Sequence, residues 1–239
     1  MTERTGTVEA AEIARFGALA DRWWDPNGPM RPLHRMNPLR TAWVKARAGE
    51  LGIAWEGARV LDVGCGAGLA AEAFARAGAG VTAIDAAAEA VDAARAHTAA
   101  GGLAIDYRVA APEELAAEGA AFDVVTALEV IEHVADTGAF LAALAAVTRP
   151  GGLVVLSTLN RTLASLAVAK IGAEYVARLL PRGTHDWRRF ITPAELGREL
   201  RAAGLRPVAT AGMRMNLVTG AWTESSDLSI NYIAAATRL

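Results

Sequence analysis

RVLDVGCGAGLAAEAFARAGAGVTAID, residues 59–85, is the stretch whose reading decides the fold. Val60 and Leu61 form an apolar run suited to a strand buried on both faces, as parallel strands are. Glycines follow at Gly64, Gly66 and Gly68, then a helical run from Leu69 to Ala77, then a second apolar run, Val81 to Ile84, closed by Asp85. Strand, glycine turn, helix, strand and terminal acid make the front half of a nucleotide-binding βαβ unit. Glycine lets the backbone turn sharply and lets a ligand approach where a Cβ would collide. A carboxylate ending the second strand can accept hydrogen bonds from both hydroxyls of a ribose.

The glycine spacing narrows the ligand. A dinucleotide fingerprint reads G-x-G-x-x-G, whereas Gly64-Cys65-Gly66-Ala67-Gly68 reads G-x-G-x-G. With Asp62 just ahead of the turn, the stretch resembles the first motif of class I S-adenosylmethionine-dependent methyltransferases. A nicotinamide dehydrogenase or a non-catalytic Rossmann domain are the other readings.

Outward from this stretch, helical and apolar segments alternate. Strands are expected at residues 105–109, 122–127 and 153–158, with helices at 86–99 and 137–147 and a tight turn at 149–152. Such alternation implies a parallel sheet with right-handed crossovers. Thr192-Pro193-Ala194-Glu195 is a capping box opening a helix to about Ala203, and residues 206–215 and 229–238 read as a closing antiparallel pair. The expected fold is α/β: a Rossmann-like class I methyltransferase with a mostly parallel seven-stranded sheet, helices on both faces and an antiparallel C-terminal strand pair. No repeat or low-complexity linker interrupts residues 1–239, which read as one domain.

Ahead of the glycine unit, Ile13, Phe16, Leu19, Trp23 and Trp24 recur at helical spacing. Residues 25–40, DPNGPMRPLHRMNPLR, carry four prolines with Arg31, His34, Arg35 and Arg40, and read as a stiff basic loop that folds over a ligand. Asn37-Pro38 is an N-cap and N1 pair starting a helix to about Leu51. Residues 162–180, TLASLAVAKIGAEYVARLL, are mostly apolar with Lys170, Glu174 and Arg178 spaced along them. They read either as two short helices forming a lid or as an interfacial membrane segment.

Composition sets outer bounds. The formal net charge of −2 gives no electrostatic footprint for nucleic acid. A single cysteine, Cys65, excludes an internal disulfide and a multi-cysteine metal site, and between two glycines it reads as a small filler. The N-terminal residues lack a signal-peptide or transit-peptide pattern, no apolar run reaches about 20 residues, and a cytoplasmic location is expected.

A second constellation follows the fourth expected strand: Ala127-Leu128-Glu129-Val130-Ile131-Glu132-His133-Val134. On a helical turn, Glu129, Glu132 and His133 would share one face. Such a face can bind a divalent ion or supply a general base. A phenol has a pKa near 10, so only about a thousandth is phenolate at neutral pH; metal or base relieves that handicap. A metal site, a metal-free base and a structural role all stay open. His34 is a rival base, and His185 a cap or lid residue.

Beyond these motifs, the chain resembles the ubiquinone biosynthesis O-methyltransferase family. The resemblance rests on Arg22-Trp23-Trp24-Asp25, the PLHRMNPLR run at 32–40, EVIEHV at 129–134, Ser157-Thr158-Leu159-Asn160-Arg161, Gly172-Ala173-Glu174-Tyr175, Gly183-Thr184-His185-Asp186 and Asn231-Tyr232. It implies that Arg40, Gly64, Asp85 and Leu128 line the S-adenosylmethionine site, with Arg40 meeting the methionine carboxylate. It implies further a divalent metal, Mg2+, at Glu129, Glu132 and His133, and a polyprenylated catechol or hydroquinol as substrate. A ubiquinone-biosynthesis protein complex as partner and peripheral attachment to the membrane surface through residues 162–180 are also implied. Where many methyltransferases place an acid or asparagine for adenine, this chain has Ala110 and Ala111, leaving backbone groups and apolar walls for that role, with none assigned to Glu113.

Overall fold

The computed structural model describes residues 22–28, 30–166, 187–216 and 218–239. Helix α1 spans Arg31–Glu50. There follow β1 (Arg59–Val63), α2 (Leu69–Arg76), β2 (Gly80–Asp85), α3 (Ala88–Ala100), β3 (Ile105–Val109), α4 (Pro112–Ala117) and β4 (Phe122–Leu128). After a 3-10 turn at Ile131–His133 come α5 (Thr137–Val147), β5 (Thr148–Leu159), a second 3-10 turn at Trp187–Arg189, α6 (Pro193–Ala202), β6 (Leu205–Met215), β7 (Trp222–Ser225) and β8 (Asn231–Arg238).

All eight strands join one sheet in the order β3-β2-β1-β4-β5-β8-β6-β7. The first five are parallel, and β8 returns antiparallel between β5 and β6. The sheet therefore has one strand more than the seven expected. The extra strand, β7, is four residues long and pairs only with β6 at the edge, too short and too polar for its pattern to show in the sequence. Helices cover both faces. Val44, Phe74, Val91 and Ala94 from α1, α2 and α3 pack on one side, and Leu115, Phe140, Leu141 and Leu196 from α4, α5 and α6 on the other. Strands buried on both faces, such as VVLST in β5, account for the continuous apolar runs.

Two local expectations fail for identifiable reasons. Helix α1 begins at Arg31 and runs through Pro38, so residues 31–40 are helical, and Asn37 is an interior residue, not a cap. Pro38 removes one backbone hydrogen bond. Burial of Met36, Asn37, Arg40, Trp43 and Val44 on one side of the helix outweighs that loss. Asn37 donates through Nδ2 to the Leu69 carbonyl at 2.8 Å, tying α1 to the start of α2. The expected turn at 149–152 is part of β5, where Gly151 at φ +73° lies beside a shift in the β4–β5 register. The capping box of α6 is present as expected, with Thr192 Oγ1 and Glu195 exchanging hydrogen bonds. The expected leading helix before Arg22 and most of the 162–180 segment, with His185 beyond it, lie outside the described residues.

Candidate active site at the carboxyl edge of the sheet

The carboxyl ends of β1, β2, β4 and β5 lie side by side, and the sequence-predicted residues Asp62, Gly64, Asp85, Leu128 and Glu129 all fall there. The glycine loop is held down at its start by Gly64 and Cys65 N–H groups, which donate to the Ile84 carbonyl at 2.8 and 3.0 Å. Gly64, Gly66 and Gly68 take φ values of +69°, +52° and +90°. Each is also crowded by a different side chain: a Cβ would lie 2.5 Å from Val130 at Gly64, 2.3 Å from Trp23 at Gly66 and 2.2 Å from the Tyr107 hydroxyl at Gly68. Glycine is thus required twice over, by conformation and by packing. Cys65 is buried, and burial with the nearby Asp85 and Asp62 charges pushes its thiol well up, which suits the filler reading.

Asp85 serves as a brace for this loop. Its Oδ2 accepts from Gly66 N–H at 2.8 Å and its Oδ1 from Ala87 N–H at 2.9 Å. Burial raises its pKa, while these backbone donors pull it down. Asp62 is buried beneath the loop and accepts from Thr126 Oγ1 at 2.7 Å. Burial pushes Asp62 up to about 6, against the opposing pull of the Thr126 bond and of Arg40.

Arg40 reaches this edge from α1. It is 4 % exposed, close enough to Glu129 and Asp62 to feel both charges, and burial still lowers its pKa. Its Nε is buried without a hydrogen-bond partner. A buried guanidinium with an unmade bond is a ready site for a carboxylate ligand.

The acid pair stands on the next strand end. Glu129 has φ +60°, the only such non-glycine residue among those described. Its N–H donates to the Ser157 carbonyl at 2.9 Å and its carboxylate accepts from Ser157 Oγ at 2.7 Å, so two bonds to β5 hold this unusual backbone. Glu132 is 4 % exposed and accepts from Thr158 Oγ1 at 2.9 Å. Burial first, and the neighbouring Glu129 charge second, hold its pKa well above the usual carboxylate range. The expected three-residue face does not form. The left-handed residue and the following 3-10 turn break the helical phase, and among the described residues no three His, Cys, Asp or Glu side chains gather closely enough for one metal ion. Glu129 and Glu132 are brought together; His133, half-buried on the turn, does not complete a set with them.

Several contacts here were not read from the sequence. Trp24 Nε1 donates to the Ala67 carbonyl of the glycine loop at 2.9 Å, and its ring stacks on His97 at 3.4 Å and 4°. His97 Nδ1 lies 2.6 Å from Glu72, a buried acid that also accepts from Thr98 and Arg76. His34, the rival base, turns Nε2 to the Trp23 carbonyl at 2.8 Å and so donates to it, anchoring the strap formed by residues 22–28 ahead of α1. Glu113, near the place expected for adenine, keeps both carboxylate oxygens buried without hydrogen-bond partners.

A glycine loop, a strand-end acid and a buried arginine on this sheet define the class: an S-adenosylmethionine-dependent methyltransferase. Residues 34–210 match a family model described as a methyltransferase domain. The solved magnesium protoporphyrin IX methyltransferase of Synechocystis PCC 6803, with SAH bound, shares the fold at a TM-score of 0.65 and 24% identity, over 95% of this chain and 99% of that one. A ubiquinone biosynthesis O-methyltransferase from Cereibacter sphaeroides is 48% identical over 242 residues, 98% of each chain. One from Caulobacter vibrioides is 47% identical over 240 residues, covering 97% of this chain and 95% of that protein. The chain belongs to the ubiquinone biosynthesis O-methyltransferase family.

The buried acid gives a prediction. Asp62 binds its proton more tightly in the folded state than in the unfolded chain, where its pKa is near 3.8. Its contribution therefore falls as pH rises from about 4 to about 6 and stays low above that. Asp62→Asn should remove this loss. Urea unfolding should show the variant gaining stability relative to wild type between pH 4 and pH 7, by on the order of 3 kcal/mol. A pH-independent difference would contradict the assignment.

Proposed function

We propose that the protein transfers the methyl group of S-adenosylmethionine to a phenolic oxygen of a polyprenylated catechol or hydroquinol. The observation that carries this reading is the pair of half-buried Glu129 and buried Glu132 at the strand end beside the glycine loop. S-adenosylmethionine brings an activated methyl on a positive sulfur. Arg40 would receive its carboxylate, Asp85 its ribose hydroxyls, and Glu113 or the Ala110–Ala111 backbone its adenine, with Leu128 as an apolar wall. The loop glycines permit close approach and the Trp23–Trp24 strap closes over the loop.

The acid pair would take the phenolic proton. The phenolate oxygen then forms its bond to the methyl carbon as the carbon–sulfur bond breaks, its electron pair returning to sulfur. Positioning of the two reactants supplies most of the acceleration, because the donor is already activated. A second reading is favoured by the closeness of two carboxylates, one buried and one half-buried, an arrangement whose charge suits a divalent cation such as Mg2+. Glu129 and Glu132 would hold it, and it would lower the pKa of the phenol.

A polyprenyl tail partitions into lipid, so the proposed location is cytoplasmic and peripheral, with residues 162–180 at the membrane surface. No helix among the described residues is long and apolar enough to cross a membrane. Assembly with other proteins of the same pathway is part of the proposal. The protein should float with anionic vesicles and stop floating when residues 162–180 are replaced by a short linker; unchanged flotation contradicts the attachment.

Incubation of the purified protein with S-adenosylmethionine and a short-chain prenylated catechol should yield a product heavier by one methyl. Glu132→Gln should lower kcat by about a hundredfold or more. Excess chelator separates the two readings, since it leaves the rate of a metal-free base untouched and abolishes that of an ion-assisted site. Failure of the wild type to methylate the catechol would contradict the substrate assignment.

A further inference from the structure

We propose that Asn160 reads the second, non-reacting hydroxyl of the substrate ring, accepting a hydrogen bond from it through Oδ1. The proposal rests on the catechol reading above. Asn160 directly follows β5, the strand whose Ser157 and Thr158 hydroxyls hold Glu129 and Glu132, so it stands at the same sheet edge as the acid pair. Its side chain is 7 % exposed.

The orientation of its amide is fixed. Nδ2 donates to the Leu228 carbonyl at 2.8 Å, and a carbonyl can only accept, so the nitrogen must face Leu228 and Oδ1 must face away. Oδ1 is buried, and among the described residues no donor reaches it. Leaving a buried acceptor unpaired is costly, and most such groups in folded proteins are satisfied.

Around Asn160, pairing is otherwise dense. Its N–H donates to the Ile230 carbonyl at 2.9 Å, and its own carbonyl accepts from Thr162 N–H at 3.0 Å and from Ser165 Oγ. Thr162 Oγ1 donates to the Ser229 carbonyl, Trp187 Nε1 donates to the Thr162 carbonyl at 2.9 Å, and Arg161 bonds the Phe190 carbonyl and Glu195. These bonds tie residues 160–165 to residues 187–195 and to the residues just ahead of β8 beside Asn160. One unmade acceptor in a stretch so thoroughly paired points to a donor that arrives with the ligand.

The chemistry of that donor follows from the reaction. Once one hydroxyl of a catechol has given its proton to the acid pair, its neighbour still carries an O–H. That O–H is a donor and nothing on Glu129 or Glu132 is needed to receive it. Asn160 supplies the matching acceptor, and a ring lacking the second hydroxyl would leave Oδ1 unpaired with the substrate bound. Sites built to hydrogen-bond a substrate hydroxyl reject analogues that lack it far more strongly than apolar pockets reject a missing methylene.

The test compares kcat/KM for a short-chain prenylated catechol with that for the matching monophenol, in wild type and in Asn160→Ala. Calorimetric affinity for S-adenosylmethionine and thermal unfolding report whether the variant is intact. Wild type should favour the catechol by about a hundredfold or more, and Asn160→Ala should reduce that ratio at least about tenfold, through loss of catechol turnover, with cofactor affinity unchanged. An unchanged ratio in a folded variant would overturn the proposal. So would a weakened cofactor affinity with the ratio intact, which would assign Asn160 to the cofactor instead. A wild-type ratio near one overturns it without any variant. Transfer to neither ring by wild type defeats the catechol reading itself, and this proposal with it.

Discussion

Among the described residues one buried cation, Arg40, stands with two buried and two half-buried acids at this edge of the sheet, and their charges govern it. Arg40 feels Asp62 and Glu129, Asp62 feels Asp85, and Glu132 feels Glu129. The four acids outnumber the one guanidinium; burial first raises Asp62, Asp85 and Glu132, and a neighbouring carboxylate adds to the rise at Asp62 and Glu132. Such an arrangement is expensive on its own. It becomes intelligible with a ligand that carries one carboxylate for the arginine and positive charge for the acids, which is the charge pattern of S-adenosylmethionine.

The scaffold around this edge is built to keep those charges in place. Asp85 spends both oxygens on backbone N–H groups of the loop and of the segment before α3. Each loop glycine is packed by a side chain from a different part of the chain: Val130 after β4, Trp23 from the strap and Tyr107 from β3. Glu129 keeps a left-handed backbone because β5 holds both its N–H and its carboxylate. The chemistry-bearing groups are thus fixed by bonds to neighbouring strands, and the rigidity of the parallel sheet is transmitted to them.

What the sequence revealed follows from what is local. The glycine spacing, Asp85, the strand-helix alternation and the Thr192–Glu195 box are signals contained in a few adjacent residues, and the fold follows from them. Arg40 could be assigned only through family resemblance, because its burial beside Asp62 and Glu129 depends on where α1 docks. Pro38 looked like a helix start, since its cost is local while the burial that outweighs it is tertiary. The Glu129–Glu132–His133 face was drawn on an ideal helix, and one positive φ was enough to change its phase. The stacking of Trp24 on His97 joins residues far apart in sequence and leaves no local trace. Ser157, Thr158 and Asn160 were visible as a run, but their roles required the register of β5 against its neighbours.

The central claim is that Arg40 receives the carboxylate of the cofactor at this acid-rich edge. Calorimetric titration of wild type and Arg40→Met with S-adenosylmethionine and with S-adenosylhomocysteine tests it directly, because both ligands carry that carboxylate. The account predicts that the variant, still folded, loses affinity for both by at least about tenfold, the scale of a charge-assisted hydrogen bond. Unchanged affinity for both ligands would contradict it.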